Sequence, residues 1–198
     1  MVALNKWTND VRRGEHLLHL CKSEDERVRT VLDMISCIEG NEKVIFVSDN
    51  EISKYLSSHG VSIDTLGKGF EQRKPRSIFL TTGKFSNEES LNQLRGLIEE
   101  ARKSGNKSLT LIFDHSWLVK KNESFAQFMQ FEASLTFTRF NIPVTFICQY
   151  NSSQLNDEQM ELATSLHALT LCDGQVSRNY WLIPRSMQTE VFSTVLEH

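Results

Sequence analysis

The sequence lacks a long apolar run, an excess of charge of either sign, closely paired cysteines and a glycine-rich phosphate loop. No stretch approaches the length of a membrane span and the N-terminus carries no apolar leader, so neither secretion nor anchoring is encoded and a cytoplasmic protein is expected. Twenty-two basic residues against 25 acidic ones leave a formal charge of -3, too little field to attract nucleic acid or an anionic membrane. The short basic stretches Arg12-Arg13 and Arg73-Lys74-Pro75-Arg76 have no interleaved aromatics and read as solvated loops. Cys21, Cys37, Cys148 and Cys172 are widely spaced and mostly embedded in apolar runs, the pattern of reduced, buried thiols rather than of a disulfide framework.

What is present is enough for a sizeable core. With 39% hydrophobic and 24% charged residues over 198 positions, one globular α/β unit is expected. Its bounds are taken as 14–195, after an N-terminal extension over 1–13 and before Leu196-Glu197-His198, which read as the start of an expression tag.

Strand and helix signals alternate along the chain. "HLLHLC" (16–21) reads as a buried strand. Ser23 with Glu26 has the capping-box spacing that opens a helix, with Val28, Val31, Leu32, Ile35 and Ile38 on one face and Gly40 beyond its end. Further strands are predicted at 43–49, 77–82, 108–113 and 143–150, and helices at 51–59, from Ser86 to about Gly105, at 124–140 and at 156–166. The run at 108–113 is too continuously apolar for a half-exposed strand, so both its faces should be covered. "ALTLC" (168–172), Asp173-Gly174 and "VSRNYWLI" (176–183) predict an antiparallel hairpin at the sheet edge. The whole is a three-layer α/β fold, a mostly parallel sheet with helices on both faces.

"SLTLIFDHSW" (108–117) ends its strand on Asp114, where an ATPase sheet carries the acid that holds its metal. The partner of that acid would be a GxxxxGK[ST] loop, and no stretch satisfies it. Between the first strand and first helix the chain reads "CKSEDE", with Lys22-Ser23 but no glycines and three acids that would repel a triphosphate; Gly83-Lys84 is followed by Phe85. Asp114 then either faces a ligand crevice at the carboxyl end of a central strand or serves as a helix cap or turn residue, a place Ser116 could fill equally well. In the next helix, Glu132 falls in the middle of a face made of Phe125, Phe128, Met129, Phe131 and Leu135. A carboxylate so placed should pair with a neighbour or line a cavity as a perturbed group. His16, His19 and Cys21 have tempting metal spacings, but strand alternation sends His16 to the opposite face, so no metal site is expected. GxSxG and CxxC are absent, His59, His115 and His167 stand in unrelated contexts, and no motif calls for a cofactor.

The order of pieces, "GEHLLHLCKSEDERVRTVL", "GNEKVIFVSDN", "DHSW", an inward "FE" and "FICQY", resembles the MEDS family, the sensory domain named for methanogens, methylotrophs and the dichloromethane-responsive repressor. The resemblance spans about residues 14–183. It implies a RecA/KaiC-like fold that has lost its phosphate loop and its ATPase function. The implied role is sensing of a small, hydrocarbon-derived ligand on behalf of a transcription regulator or signalling kinase. Carried over by position, the ligand residues would be His16, Asp114, Ser116, Trp117, Glu132, Gln149 and Tyr150. The chain departs from the family where it has Cys21 in place of a common tyrosine and Asp114 in place of a frequent glutamate.

Read from the residues alone, Asp114, Trp117, Gln149 and Tyr150 follow adjacent buried strands and are expected to crowd one sheet edge as a small-molecule pocket. Trp117 and Tyr150 could equally be core residues with satisfied polar tips, Gln149 a strand-end hydrogen-bonding group, and His16 a partner of a nearby backbone group. Two other functions compete with the non-enzymatic sensor: a nucleotide binder of RecA/KaiC descent, and a structural module that assembles with itself or a kinase. No helix-turn-helix, kinase core or receiver pattern is present, so the output is expected to lie in another polypeptide or in a part outside this one.

Overall fold

A computed structural model describes residues 6–180 apart from 12, 59, 63–68 and 122–124; the expected tag and the far end of the last strand lie outside the described residues. The strands are β1 (His16–Cys21), β2 (Glu42–Val47), β3 (Phe70–Arg73), β4 (Ser108–Asp114), β5 (Val144–Asn151), β6 (Leu169–Cys172) and β7 (Gln175–Arg178). The helices are α1 (Glu24–Ser36), α2 (Ser53–Ser58), α3 (Asn87–Lys103), α4 (Ser116–Lys121), α5 (Phe125–Phe137) and α6 (Asp157–Leu166). The strands form one sheet in the order β3-β2-β4-β5-β1-β6-β7. Every neighbouring pair is parallel except β6 with β7.

The helix starts are fixed by local chemistry. Ser23 Oγ accepts from Glu26 N, Ser86 Oγ from Glu89 N, and Asn156 with Gln159 closes a full capping box, so each supplies an acceptor to an otherwise orphaned first-turn N–H. In α1 the returning carboxylate reaches one residue further back, to Lys22 N at 2.8 Å. α1 ends at Ser36, earlier than predicted, and Gly40 with φ 58° belongs to the turn into β2. At the hairpin, Asp173 and Gly174 both have positive φ (49° and 73°), as a two-residue turn matched to strand twist requires.

One predicted strand is wrong. Residues 77–82 do not join the sheet; β3 lies upstream, at Phe70–Arg73. Pro75 starts a 3-10 turn over Pro75–Ser77, and Phe79 N closes back on Pro75 O at 2.8 Å. Ile78, Phe79 and Leu80 are nonetheless buried, as a wedge in the helix layer. A three-residue apolar run does not distinguish these outcomes, and the proline that presets φ decides.

The core is double. Leu18, Leu111, Phe113, Phe146, Cys148 and Tyr150 face α3, α5 and α6, whereas Leu17, Val44, Phe46, Ile112 and Ile147 face α1 and α2. β4 is thus covered on both sides, as its composition predicts. Trp7, within the segment 1–13, is also buried on the α1 side, where its Nε1 donates to Asp33 at 2.8 Å. No helix among the described residues is long and apolar enough to cross a membrane.

Candidate functional site

Among the described residues, a cluster of buried polar side chains lies on each face of the sheet. On the α1 face, Asp114 receives three donors: the Arg27 guanidinium at 3.1 Å, the Ser48 hydroxyl at 2.7 Å and the backbone N–H of Ser116 at 3.0 Å. Arg27 also meets Glu24 at 3.0 Å. Beside them Gln149 Nε2 donates to the Arg27 carbonyl at 3.0 Å and to His19 Nδ1 at 3.1 Å, leaving His19 Nε2–H to face Thr30 Oγ1 at 3.4 Å. Burial, with the Arg27 charge acting in the same direction, pushes the His19 imidazole down to about 4. Both Asp114 oxygens are therefore engaged, and its charge is paired with Arg27. Asp114 also bonds the first N–H of α4, the cap-like role open to it from sequence. Lys22 is engaged elsewhere, donating to both oxygens of Asp173 at 2.9 and 2.8 Å.

The opposite face holds the less settled group. Glu132, in the middle of α5, is fully buried and surrounded by residues of four other segments: His16 opening β1, Cys148 within β5, His115 just after β4, and His167 capping α6. His115 Nε2 lies 2.9 Å from Glu132 Oε1 but off the line that a hydrogen bond needs, so the contact is electrostatic. His167 Nε2 lies 3.5 Å from Oε2. His16 Nε2 is 3.2 Å from Cys148 Sγ, and its Nδ1 is 2.8 Å from Thr136 Oγ1. Among the described residues, both Glu132 oxygens, His167 Nε2, Tyr150 Oη and Trp117 Nε1 are buried without a hydrogen-bond partner.

Burial by itself would raise the Glu132 carboxyl, but His115 above all, with His167 and His16, outweighs it and holds the group at about 2. Burial lowers His16 and His167, in His16 helped by the His167 charge and in His167 opposed by Glu132. The Cys148 thiol and the Tyr150 hydroxyl are both pushed well up, first by burial and then by the Glu132 charge. The result is a carboxylate ringed by imidazoles whose own protonation is opposed by burial. Phenylalanines enclose it: His115 packs on Phe128 at 4.7 Å and on Tyr150 at 4.7 Å, and Trp117 stacks on Phe79 at 5.3 Å.

Two spaces adjoin this group. At the carboxyl ends of β4 and β5 a cavity of about 30 Å³ is lined by His115, Phe125, Tyr150 and Gln159. At the opposite, amino-terminal end of β1 and β5 a groove of about 560 Å³ is lined by His16, Leu135, Thr136, Arg139, Phe140 and Phe146. The larger space thus lies at the edge away from the one the sequence pointed to.

The seven residues singled out from sequence do not share one face; Asp114, Trp117, Gln149 and Tyr150 do lie at the same carboxyl edge of β4 and β5, as expected, but on its two sides. His16, Glu132 and Tyr150 come together on the α5 face, with Trp117 one ring away through Phe128. Asp114 and Gln149, neighbours in register, turn to α1 instead, because successive strand residues alternate in direction. Ser116 sits half-buried at the start of α4. His115 and His167, read as unrelated, both face Glu132, and Cys148 was passed over. Parity on β5 was the available signal, since Cys148 shares a face with Tyr150. The set His16, His19 and Cys21 considered from sequence does not converge: His19 turns to Gln149 and α1, Cys21 Sγ donates to the Tyr150 carbonyl at 3.1 Å, and His16 meets Cys148 of the adjacent strand on the α5 face.

The parallel sheet sandwiched by helices is a RecA-like α/β fold. It is similar to the flagellar accessory protein FlaH of Methanocaldococcus jannaschii, with 14% identity, a TM-score of 0.51 and coverage of 84% of this chain and 76% of that one. An ATP synthase subunit, NeqB of Nanoarcheaum equitans, gives 13% identity, a TM-score of 0.46 and coverage of 81% and 46%. No curated protein matches the sequence. The chain belongs to the MEDS family, the MEthanogen/methylotroph, DcmR Sensory domain, which matches residues 15–168. A sensory or signalling role follows from that membership.

Proposed function

We propose that the chain is a non-enzymatic sensory domain of the cytoplasm that binds a small, largely apolar, hydrocarbon-derived molecule on the α5 face and signals to a transcription regulator or kinase. The supporting observation is a set of polar atoms, Trp117 Nε1, Tyr150 Oη and the Glu132 oxygens, buried without a hydrogen-bond partner among the described residues, inside a wall of phenylalanines. Each such atom costs about 1–3 kcal/mol, part of which a guest with one polar end recovers. A space of about 30 Å³ holds no more than a water, so the guest must part α4 and α5 from the sheet. That parting is the signal, provided the guest binds the opened state more tightly. A non-enzymatic reading is supported by Asp114, whose acceptors are taken up by Arg27, Ser48 and Ser116, and by the three acids in the first turn of α1.

The test is calorimetric titration with small apolar and methylated compounds against wild type, Trp117→Ala and Tyr150→Phe. Saturable binding by wild type that weakens at least tenfold in both variants is expected. Binding that is indifferent to both, or no binding by any compound, would refute the reading.

A further inference from the structure

The four donors His16, Glu132, Cys148 and His167 come from β1, α5, β5 and the end of α6, and one ligand atom of each lies within 4.8 Å of all the others. All four residues are buried. We propose that they form a closed, four-coordinate site for a divalent transition metal of the zinc class.

The orientation of the histidines supports this first. His167 Nδ1 lies 2.7 Å from the carbonyl of Ala163, an acceptor, so Nδ1 carries the proton. When neutral, the ring therefore turns a bare Nε2 towards Glu132 Oε2, 3.5 Å away. Two acceptors then face each other in a dry interior, an arrangement that a cation between them turns from repulsion into attraction. His16 is held the same way, its Nδ1 tied to Thr136 Oγ1 and its Nε2 turned inward to Cys148. An outer nitrogen fixed by a hydrogen bond while the inner one points at the centre is the arrangement of metal-bound imidazole. His115 stands at the other Glu132 oxygen, where an orienting partner of a ligating carboxylate belongs.

Distances and charge agree. Bonds of about 2.0–2.3 Å in a tetrahedron place donor atoms about 3.3–3.8 Å apart. His16 to Cys148 at 3.2 Å and His167 to Glu132 at 3.5 Å already have about that spacing, and the remaining edges, all within 4.8 Å, close by about 1.5 Å at most. A divalent ion with one thiolate, one carboxylate and two neutral imidazoles has zero net charge, which keeps the cost of burial small. One sulfur, two nitrogens and a single hard oxygen suit zinc or cobalt and do not suit magnesium or calcium. With four protein ligands no position is left for substrate, so the ion braces the sheet to α5 and α6 or is itself the signal. His16 borders the groove of about 560 Å³, which gives an ion its way in.

The site shares Glu132 with the ligand reading above, but that reading is tested at Trp117 and Tyr150, outside the four donors, so the two outcomes are distinguishable. Wild-type protein expressed with added zinc and dialysed against a weak chelator should carry one equivalent by elemental mass spectrometry. Metal-free protein titrated with Co²⁺ should develop tetrahedral absorption with a thiolate-to-cobalt band. Cys148→Ser should abolish that band and His167→Gln should weaken affinity at least tenfold, while Cys172→Ser changes neither. Should both variants fold poorly, protection of the wild-type Cys148 thiol from alkylation by bound metal decides the matter. Folded wild type that takes up neither zinc nor cobalt would overturn the proposal and leave the cluster a proton-sharing network. Stoichiometric metal in Cys148→Ser and His167→Gln, or no protection of the thiol, would overturn it as well.

Discussion

Replacing Arg27 by methionine tests whether Asp114 is held by an ion pair or by its hydrogen bonds alone. The Arg27 and Asp114 side chains are 5% and 1% exposed and meet at 3.1 Å. Methionine keeps much of the buried stem while removing the charge. Breaking a buried pair from one side typically costs about 3–5 kcal/mol, because the remaining charge is left unpaired. Here the Ser48 hydroxyl and the Ser116 N–H stay on the carboxylate, so the lower end, about 3 kcal/mol, is expected. Asp114→Asn keeps an oxygen for one of those donors and leaves Arg27 with Glu24, whose side chain is half exposed, so about 1–2 kcal/mol is expected. With both changes together there is no stranded charge, and the loss should fall short of the sum by about 1–2 kcal/mol. Urea unfolding followed by circular dichroism, with wild type and the three variants at one pH, gives all four values. Additivity within about 0.5 kcal/mol would refute the pairing as the source of the effect.

Two further outcomes follow from the same face. His19 titrates near 6.5 when unfolded and at about 4 when folded, so between those values the unfolded chain binds more protons and stability falls as pH is lowered. At about 1.36 kcal/mol per pH unit the difference amounts to about 3 kcal/mol, present above pH 6.5 and lost by pH 4. Urea midpoints across that range should fall less steeply in His19→Gln, and an unchanged slope would show that His19 is not the group responsible. Magnesium with ATP or GTP at millimolar concentration should leave the melting temperature unchanged; a rise that Asp114→Asn abolishes would restore the nucleotide-binding reading.

Much of the fold was legible because its signals are local. Ser23, Ser86 and Asn156 each bond an N–H three residues on, so the helix starts need no knowledge of the rest of the chain. Asp173-Gly174 specifies its own turn. "SIFLTT" failed for the converse reason: its apolar residues are buried, but whether they are buried as strand or as wedge depends on Pro75 and on the helices they meet. β3, "FEQR", has one buried residue in four and carries too little apolar pattern to announce an edge strand.

The site was legible in its centre and illegible in its partners. Helical periodicity alone exposes Glu132 as an acid among phenylalanines, but the imidazoles that face it come from the start of β1, the end of β4 and the end of α6, and no spacing in the chain encodes that convergence. Alternation could have carried the reading further. Applied to His16, His19 and Cys21 it separated them correctly; applied to 148–150 it would have put Cys148 and Tyr150 on one face and Gln149 on the other. That separation has a functional consequence. Asp114, at the strand end where a RecA-like sheet would meet its nucleotide, is engaged by Arg27, Ser48 and Ser116, and the amide nitrogen of Gln149 beside it is engaged by His19 and the Arg27 carbonyl. The Glu132 oxygens lie in the interior with no aligned donor among the described residues. In a sensory domain, response is expected where binding can still change the balance of forces, and that condition is met between the sheet and α5.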